Sequence, residues 1–211
     1  LPDIAKLRLE VEWKSDGSPV SAADRLVEAE VEKLLALRFG HLNFIGEETF
    51  RENQIVSADL TAVLDPIDGT ENFISGLKEW GTSLSLWWQK KHLASMLLLP
   101  ELNQSLVTGN DIRKHKSRIR SFSSSTSSEL ISRLQIGHEN RISGCAVFNL
   151  FNVVTGRFAS FSNPVGAYSW DLLAGLQLAL EHGCNVEVEG QRYDGEYLEP
   201  GQRYRVEISG Q

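Results

Sequence analysis

Apolar and polar residues alternate from Lys6 to Lys14, placing Leu7, Leu9, Val11 and Trp13 on one face and predicting a strand. Asp16-Gly17-Ser18-Pro19 reads as a turn. The period then becomes helical at Ser21-Ala22-Ala23-Asp24, a sequence with the form of a capping box, and Val27, Val31, Leu34 and Leu35 follow at helical spacing until Gly40. Leu42 to Ile45 is a short strand running into Gly46-Glu47-Glu48, and Leu60 to Leu64 is a buried one. Gly81 to Trp88 and Leu93 to Leu99, joined by Gln89-Lys90-Lys91-His92, read as a hairpin.

The second half is patterned differently. Residues 111–128 are basic and then serine-rich, which predicts a boundary between an N-terminal lobe, 1–110, and a C-terminal lobe, 111–211. Thr126-Ser127-Ser128-Glu129 has the form of a second capping box, opening a short helix to about Leu134. Ala146 to Val154 reads as a buried helix stopped by Gly156, and Phe158 to Phe161 as a strand. Trp170 to Glu181 is a strong helix stopped by Gly183, and Val186 to Val188 and Tyr204 to Ile208 are closing strands.

The strand at Leu60 leads into Asp65-Pro66-Ile67-Asp68-Gly69-Thr70-Glu71-Asn72-Phe73. Pro66 stiffens the backbone, Gly69 frees it, and two carboxylates stand at the end of a rigid element, where they can hold a hard cation. An ordinary turn accounts for the same residues. Asp24, Glu47 and Asp171 are further acids at element junctions, each with a structural alternative: a capping box, a solvated loop, a favourable charge at a helix start.

Composition narrows the class. The formal net charge of -7 argues against a broad nucleic-acid surface, and converging carboxylates repel an anionic substrate unless divalent cations intervene. The basic stretch from Arg113 to Arg120 has no interleaved aromatics and is expected to be a solvated loop rather than a nucleic-acid contact. The longest apolar run, Leu93 to Leu99, is too short to span a membrane. Cys145 and Cys184 form no C-x-x-C pattern, which favours a reducing compartment, and a cytoplasmic setting is expected. The chain opens at Leu1 without a Met or a basic-then-apolar leader pattern.

Four stretches in order, Lys14 to Asp24 (K-x-D-G-S-P-V-S-x-A-D), Gly46 to Glu48 (G-E-E), Asp65 to Phe73 (D-P-I-D-G-T-x-N-F) and Trp170 to Gly175 (W-D-x-x-A-G), resemble the inositol monophosphatase family. The resemblance runs from Lys14 through Gly183. It implies an α/β (α+β) fold, a layered α-β-α-β-α sandwich of the inositol monophosphatase and fructose-1,6-bisphosphatase type. It also implies a magnesium-dependent, lithium-sensitive phosphatase that hydrolyses a small phosphomonoester with two or three Mg2+ ions. By resemblance Glu47, Asp65 and the Ile67 carbonyl hold the first metal, and Asp65, Asp68 and Asp171 the second. Asp24, Thr70 and Glu47 order and deprotonate the attacking water, and Gly69 and Thr70 offer amides to the phosphate. Gly144, Ala146 and Asp171 are the candidate substrate contacts.

Inositol 1-phosphate is the default substrate, with histidinol phosphate and 3'(2'),5'-bisphosphate nucleotides as rivals, and a non-catalytic phosphate-binding regulator is the alternative of another class. Family members that bind inositol carry an acid where Pro164 stands here. Family chains also have a longer helix before Lys14 and a longer segment before Arg141. A homodimer is open.

Overall fold

The structure, a computed structural model, describes residues 2–15, 17–52, 58–124, 127–134 and 139–210. The first half comprises α1 (Pro2–Leu7), β1 (Val11–Trp13), β2 (Pro19–Ser21), α2 (Ala22–Phe39), β3 (Asn43–Gly46), β4 (Leu60–Asp68), α3 (Thr70–Ile74), β5 (Gly81–Trp88), β6 (Lys91–Leu99) and β7 (Gln104–Val107). The second comprises β8 (Arg120–Phe122), α4 (Ser128–Arg133), β9 (Asn140–Ile142), α5 (Ala146–Val154), β10 (Ser160–Tyr168), α6 (Ser169–Glu181), β11 (Asn185–Val188), β12 (Gln191–Arg192) and β13 (Arg203–Ser209).

Two sheets dominate. One is five-stranded in the order β3-β4-β5-β6-β7, the other six-stranded in the order β12-β11-β13-β10-β8-β9, and β1 pairs with β2 alone. Helix α6 packs on β4, β5 and β6 of the first sheet and on β10, β11 and β13 of the second. Helix α5 lies beside it and also touches both sheets, while α2 covers β4 and α4 covers β10. The layers are therefore helix, sheet, helix, sheet, helix. The main core fills the middle: Trp87, Leu97 and Leu99 from the first sheet, Leu150 and Val153 from α5, Leu172 and Leu176 from α6, and Phe161 and Ile208 from the second sheet. Burying both faces of α5 and α6 explains why their sequences are apolar nearly all round.

The alternation from Leu7 to Trp13 does not make one strand. Leu7 ends α1, where it and Ile4 pack on a small second core of Ala23, Ile67, Phe73 and Trp80, and pairing begins only at Val11. Trp13 is 64% exposed, because β1 has no strand but β2 beside it among the described residues, and Leu9, in the turn before β1, is 84% exposed. The capping box opening α2 is present, with the Ser21 side chain accepting from the Ala23 amide and Asp24 accepting from the Ser21 amide at 2.8 Å. At α4 the cap is Ser127, whose hydroxyl accepts from the Leu130 amide; Thr126, the expected cap, lies outside the described residues, as does Asp16 of the expected first turn.

Strand β4 does not stop at Leu64 but continues to Asp68 through Pro66, and β10 begins at Ser160 and runs to Tyr168. Between Arg113 and Arg118 the chain is without regular structure, with Lys114 bonded to the His182 carbonyl.

Candidate active site

Strand β4 pairs in parallel with β3 and antiparallel with β5, and its register with β5 slips between Asp65, opposite Ser83, and Asp68, opposite Gly81. Residues three apart on a regular strand face opposite sides of the sheet; one extra residue restores the parity and lets both point the same way. That is how Pro66 is tolerated inside a central strand: it sits in the bulge, and its carbonyl accepts from the Thr82 hydroxyl at 2.9 Å. Gly69 follows at φ 82°, the left-handed region, and a Cβ there would lie 2.9 Å from Cys145 Cβ.

The neighbouring strand β3 ends at Gly46, which puts Glu47 beside β4, its amide donating to the Leu64 carbonyl at 3.2 Å. Buried Glu28 of α2 holds this turn by accepting from the Glu48 amide at 2.9 Å. A Cβ at position 46 would stand 2.3 Å from the Glu28 carboxyl carbon, so any larger residue requires the Glu28 carboxylate to give up this position. Lys14 reaches in from the end of β1, 3.1 Å from Glu47 and 2.8 Å from Glu48. Asp171 enters from the first turn of α6, where it accepts from the Tyr168 amide at 2.8 Å.

These three elements bring Glu47, Asp65 and Asp171 together, with one carboxylate oxygen from each lying within 4.8 Å of the others. Asp65 is 1% exposed, and neither of its oxygens has a hydrogen-bond donor. A buried carboxylate without a donor is costly, and one facing two more carboxylates is costlier. The electrostatics agree in direction. Burial and then the charges of Glu47, Asp68 and Asp171 push the Asp65 carboxyl well above the usual range. Burial and Asp171 push Glu47 up to about 7, and burial and Asp68 push Asp171 up to about 7. Burial raises Asp68 to about 6. The donor set is all oxygen and short of positive charge, which is the chemistry of a hard divalent cation site.

Asp68 stands to one side of that trio. It is held by the start of α5, where the Cys145 thiol donates to it at 3.0 Å and the Val147 amide also donates. Thr70 opens α3 and shares its hydroxyl proton between the Ile67 carbonyl at 3.0 Å and Asp24 Oδ1 at 3.3 Å. Asp24 therefore serves two ends, its other oxygen taking the Ser21 amide and hydroxyl. Gly144 and Ala146 line a cavity of about 130 Å3 together with Asp68 and Asp171.

A match to the inositol monophosphatase family model covers residues 4–203, nearly the whole chain. The chain belongs to the inositol monophosphatase family. Inositol monophosphatase 1 of Saccharomyces cerevisiae is 26% identical over 202 residues, spanning 79% of this chain and 68% of that protein. The fold is shared with solved members: a Thermotoga maritima IMPase has a TM-score of 0.80 at 23% identity, covering 99% of this chain and 88% of that one. An IMPase/NADP phosphatase solved with Mg2+ and phosphate gives 0.80 at 19% identity, covering 100% and 85%.

Several residues around the inositol monophosphatase motifs escaped the sequence reading. Asn72 was visible inside its motif, and its amide bridges the Glu79 and Ser143 carbonyls at 2.7 and 2.6 Å, tying α3 to the loop before α5. Cys145 lies outside every motif and is nonetheless bonded to Asp68. Asn149 and Arg203 line the cavity with Asp68 and Asp171 but sit in segments without a local signature.

Proposed function

We propose that the protein hydrolyses a small phosphomonoester with magnesium, the observation carrying this being Asp65, fully buried, without a donor, and faced by Glu47 and Asp171. In this reading Glu47, Asp65 and the Ile67 carbonyl would hold one ion, and Asp65, Asp68 and Asp171 would hold a second. Bound magnesium supplies the positive charge that a phosphate ester needs in a site this acidic, and it acidifies water. A solved relative of this fold holding Mg2+ and phosphate together supports the assignment.

The chain's own groups do the rest. Thr70 Oγ1 orients the attacking water, and Asp24, 3.3 Å behind it, takes up proton density from that hydroxyl. Glu47 lies on the other side as a proton acceptor, with Lys14 fixing its orientation. The Gly69 and Thr70 amides are offered to the phosphate, on a backbone that only glycine allows to approach closely. Gly144 and Ala146 border the leaving group. Cys145 is unsuited to act as a nucleophile, since its thiol is buried, donates to Asp68, and is pushed well up by burial and that neighbouring charge, and water is the nucleophile in this reading. Because the ligands come from both, residues 1–110 and 111–211 act as one unit.

Inositol 1-phosphate is the default substrate, and histidinol phosphate and 3'(2'),5'-bisphosphate nucleotides are the alternatives. No helix among the described residues is long and apolar enough to cross a membrane. The cytoplasmic setting is supported by two free cysteines, Cys145 and Cys184. The test is phosphate release from these substrates with magnesium, with EDTA, and with added lithium. Metal-dependent release suppressed by lithium is expected; phosphate binding without turnover on any substrate would make the protein a regulator instead.

A further inference from the structure

Between α5, β10 and the start of α6 lies the cavity of about 130 Å3 already noted, whose walls include Asp68, Asp171, Ser123, Asn149, Asn163 and Arg203. Its polar walls are incomplete. Asn149 is 1% exposed, yet neither its Oδ1 nor its Nδ2 has a hydrogen-bond partner, and the Ser123 hydroxyl is likewise buried and unpaired. One turn on, Asn152 satisfies its amide on the Phe148 carbonyl at 2.8 Å, so an asparagine on this helix can pair with its own backbone. Asn149 does not. Buried amides left unpaired by protein are rare, and on a cavity wall they offer their hydrogen bonds to whatever polar group fills it, water or a ligand that displaces it.

Arg203 supplies the charge. Several arginines of this acidic chain are paired with carboxylates, Arg205 with Glu189, Arg133 with Glu207 and Arg25 with Glu12 among them, while Arg157 bonds the neutral Gln104 side chain. Arg203 has no carboxylate within ion-pair distance among the described residues. It is held by neutral groups instead, donating to the Gly166 carbonyl at 3.1 Å and lying 4.5 Å from the centroid of the Tyr168 ring. The slip in register between β10 and β13 at residues 163–167 makes the place for it, with the Asn163 side chain accepting the Val165 and Gly166 amides. Arg203 also borders a second cavity of about 470 Å3 on the Glu47 side, where the other cation, Lys14, is consumed by Glu47 and Glu48.

We infer that this cavity receives the part of the substrate remote from the reacting phosphate and that Arg203 selects substrates carrying a second anionic group, a carboxylate or a further phosphate, there. A planar guanidinium kept in place by a carbonyl and a ring, near enough to Asp171 to offset part of the rise in its carboxyl but in no ion pair with it, has hydrogen-bonding capacity left for such a group and suits it better than a neutral polyol. Asn149 and Ser123 complete its hydrogen bonding. The inference rests on the phosphomonoesterase reading and adds the substrate class, moving an ester with a second anionic group, such as a 3'(2'),5'-bisphosphate nucleotide, ahead of inositol 1-phosphate.

Two esters of the same skeleton test it: glycerol 2-phosphate and 2-phosphoglycerate, which differ in one hydroxymethyl group replaced by a carboxylate. With magnesium, kcat/KM is expected to favour 2-phosphoglycerate by about 10-fold, the size of one well-placed charged contact. Arg203→Gln should bring the ratio to near one, chiefly through KM, and Arg203→Lys should restore part of it. Melting shifts produced by each ester in the presence of magnesium give the same comparison without turnover. A parent enzyme that prefers glycerol 2-phosphate, or a ratio that Arg203→Gln leaves where it was, overturns the inference. Absence of phosphate release from either ester and from inositol 1-phosphate counts against hydrolysis instead; selectivity is then judged by the melting shifts, and equal shifts with both esters overturn it as well.

Discussion

Asp65→Asn keeps the shape of the buried side chain and removes the charge at the centre of the cluster. No donated hydrogen bond is lost, since the carboxylate has none. What changes is repulsion. At the 4.8 Å limit that separates its ligand oxygen from those of Glu47 and Asp171, each pair of ionised carboxylates costs about 1 kcal/mol in water and 3–4 kcal/mol at an effective dielectric near 20, less whatever the raised Asp65 carboxyl saves by keeping its proton. The variant should therefore melt higher than the parent in EDTA at pH 8, each kcal/mol moving the midpoint of a chain this size by roughly 2–4 °C.

The advantage has a pH dependence with a fixed sign. The carboxyls are raised in the folded state, to about 6 for Asp68 and about 7 for Glu47 and Asp171. The stability they contribute is full below their unfolded values near pH 4 and is lost as pH rises through 6–7. The metal-free parent should lose stability across that interval, the variant less, and the two should converge near pH 4. Saturating magnesium should reverse the order at pH 8, because an ion at 100 times its dissociation constant adds about 2.7 kcal/mol to the parent and little to a variant that cannot share Asp65 between two ions. Differential scanning calorimetry with EDTA and with magnesium reads both arms. A variant that melts lower in EDTA, or two proteins that respond equally to magnesium, would refute the reasoning at its centre.

Thr70→Ala should lower kcat by about 10²–10⁴-fold with little change in the magnesium requirement, and steady-state rates against magnesium concentration check both halves. Asp171→Asn should abolish turnover at ordinary magnesium with partial recovery at high magnesium. If Asp171 serves only the start of α6, the same change costs about 0.3–1 kcal/mol and leaves activity intact, so one melt and one titration separate the accounts. Gly46→Ala should destabilise the fold by about 1–3 kcal/mol, the usual cost of overpacking, since its methyl meets the Glu28 carboxyl at 2.3 Å. Chemical denaturation of that variant alone and paired with Glu28→Ala, which makes room, should show the cost relieved in the pair.

The sequence was most legible where structure is local. Ser21 and Asp24 cap a helix within four residues, and the hairpin of β5 and β6 closes through the turn between Trp88 and Lys91, so short-range chemistry announces both. The motif from Asp65 to Phe73 marked the place of the site but not its shape. Pro66 and Gly69 are turn residues in sequence, whereas the strand runs on through Pro66 because Thr82 satisfies the bulge. The alternation from Leu7 to Trp13 misled because period alone does not supply a face to bury. Short strands such as β8, β9 and β12 are two or three residues long and leave no periodic window. Cys145, Asn149 and Arg203 reach the site through long-range packing, for which neighbouring residues carry no mark.

Helix α6 bears on the order of events in folding. Its first turn carries Asp171, while Glu47 and Asp65 belong to the first sheet, far back in the chain. The cluster exists only once α6 has packed on the first sheet, and until then a cation has no three-sided seat to prefer over water. Docking α6 on the first sheet thus brings like charges together, against their repulsion. A cation that recognises only the finished arrangement acts as a latch and not as a template: its stabilisation is felt as slower escape from the native state, while the rate of reaching that state stays a property of the chain.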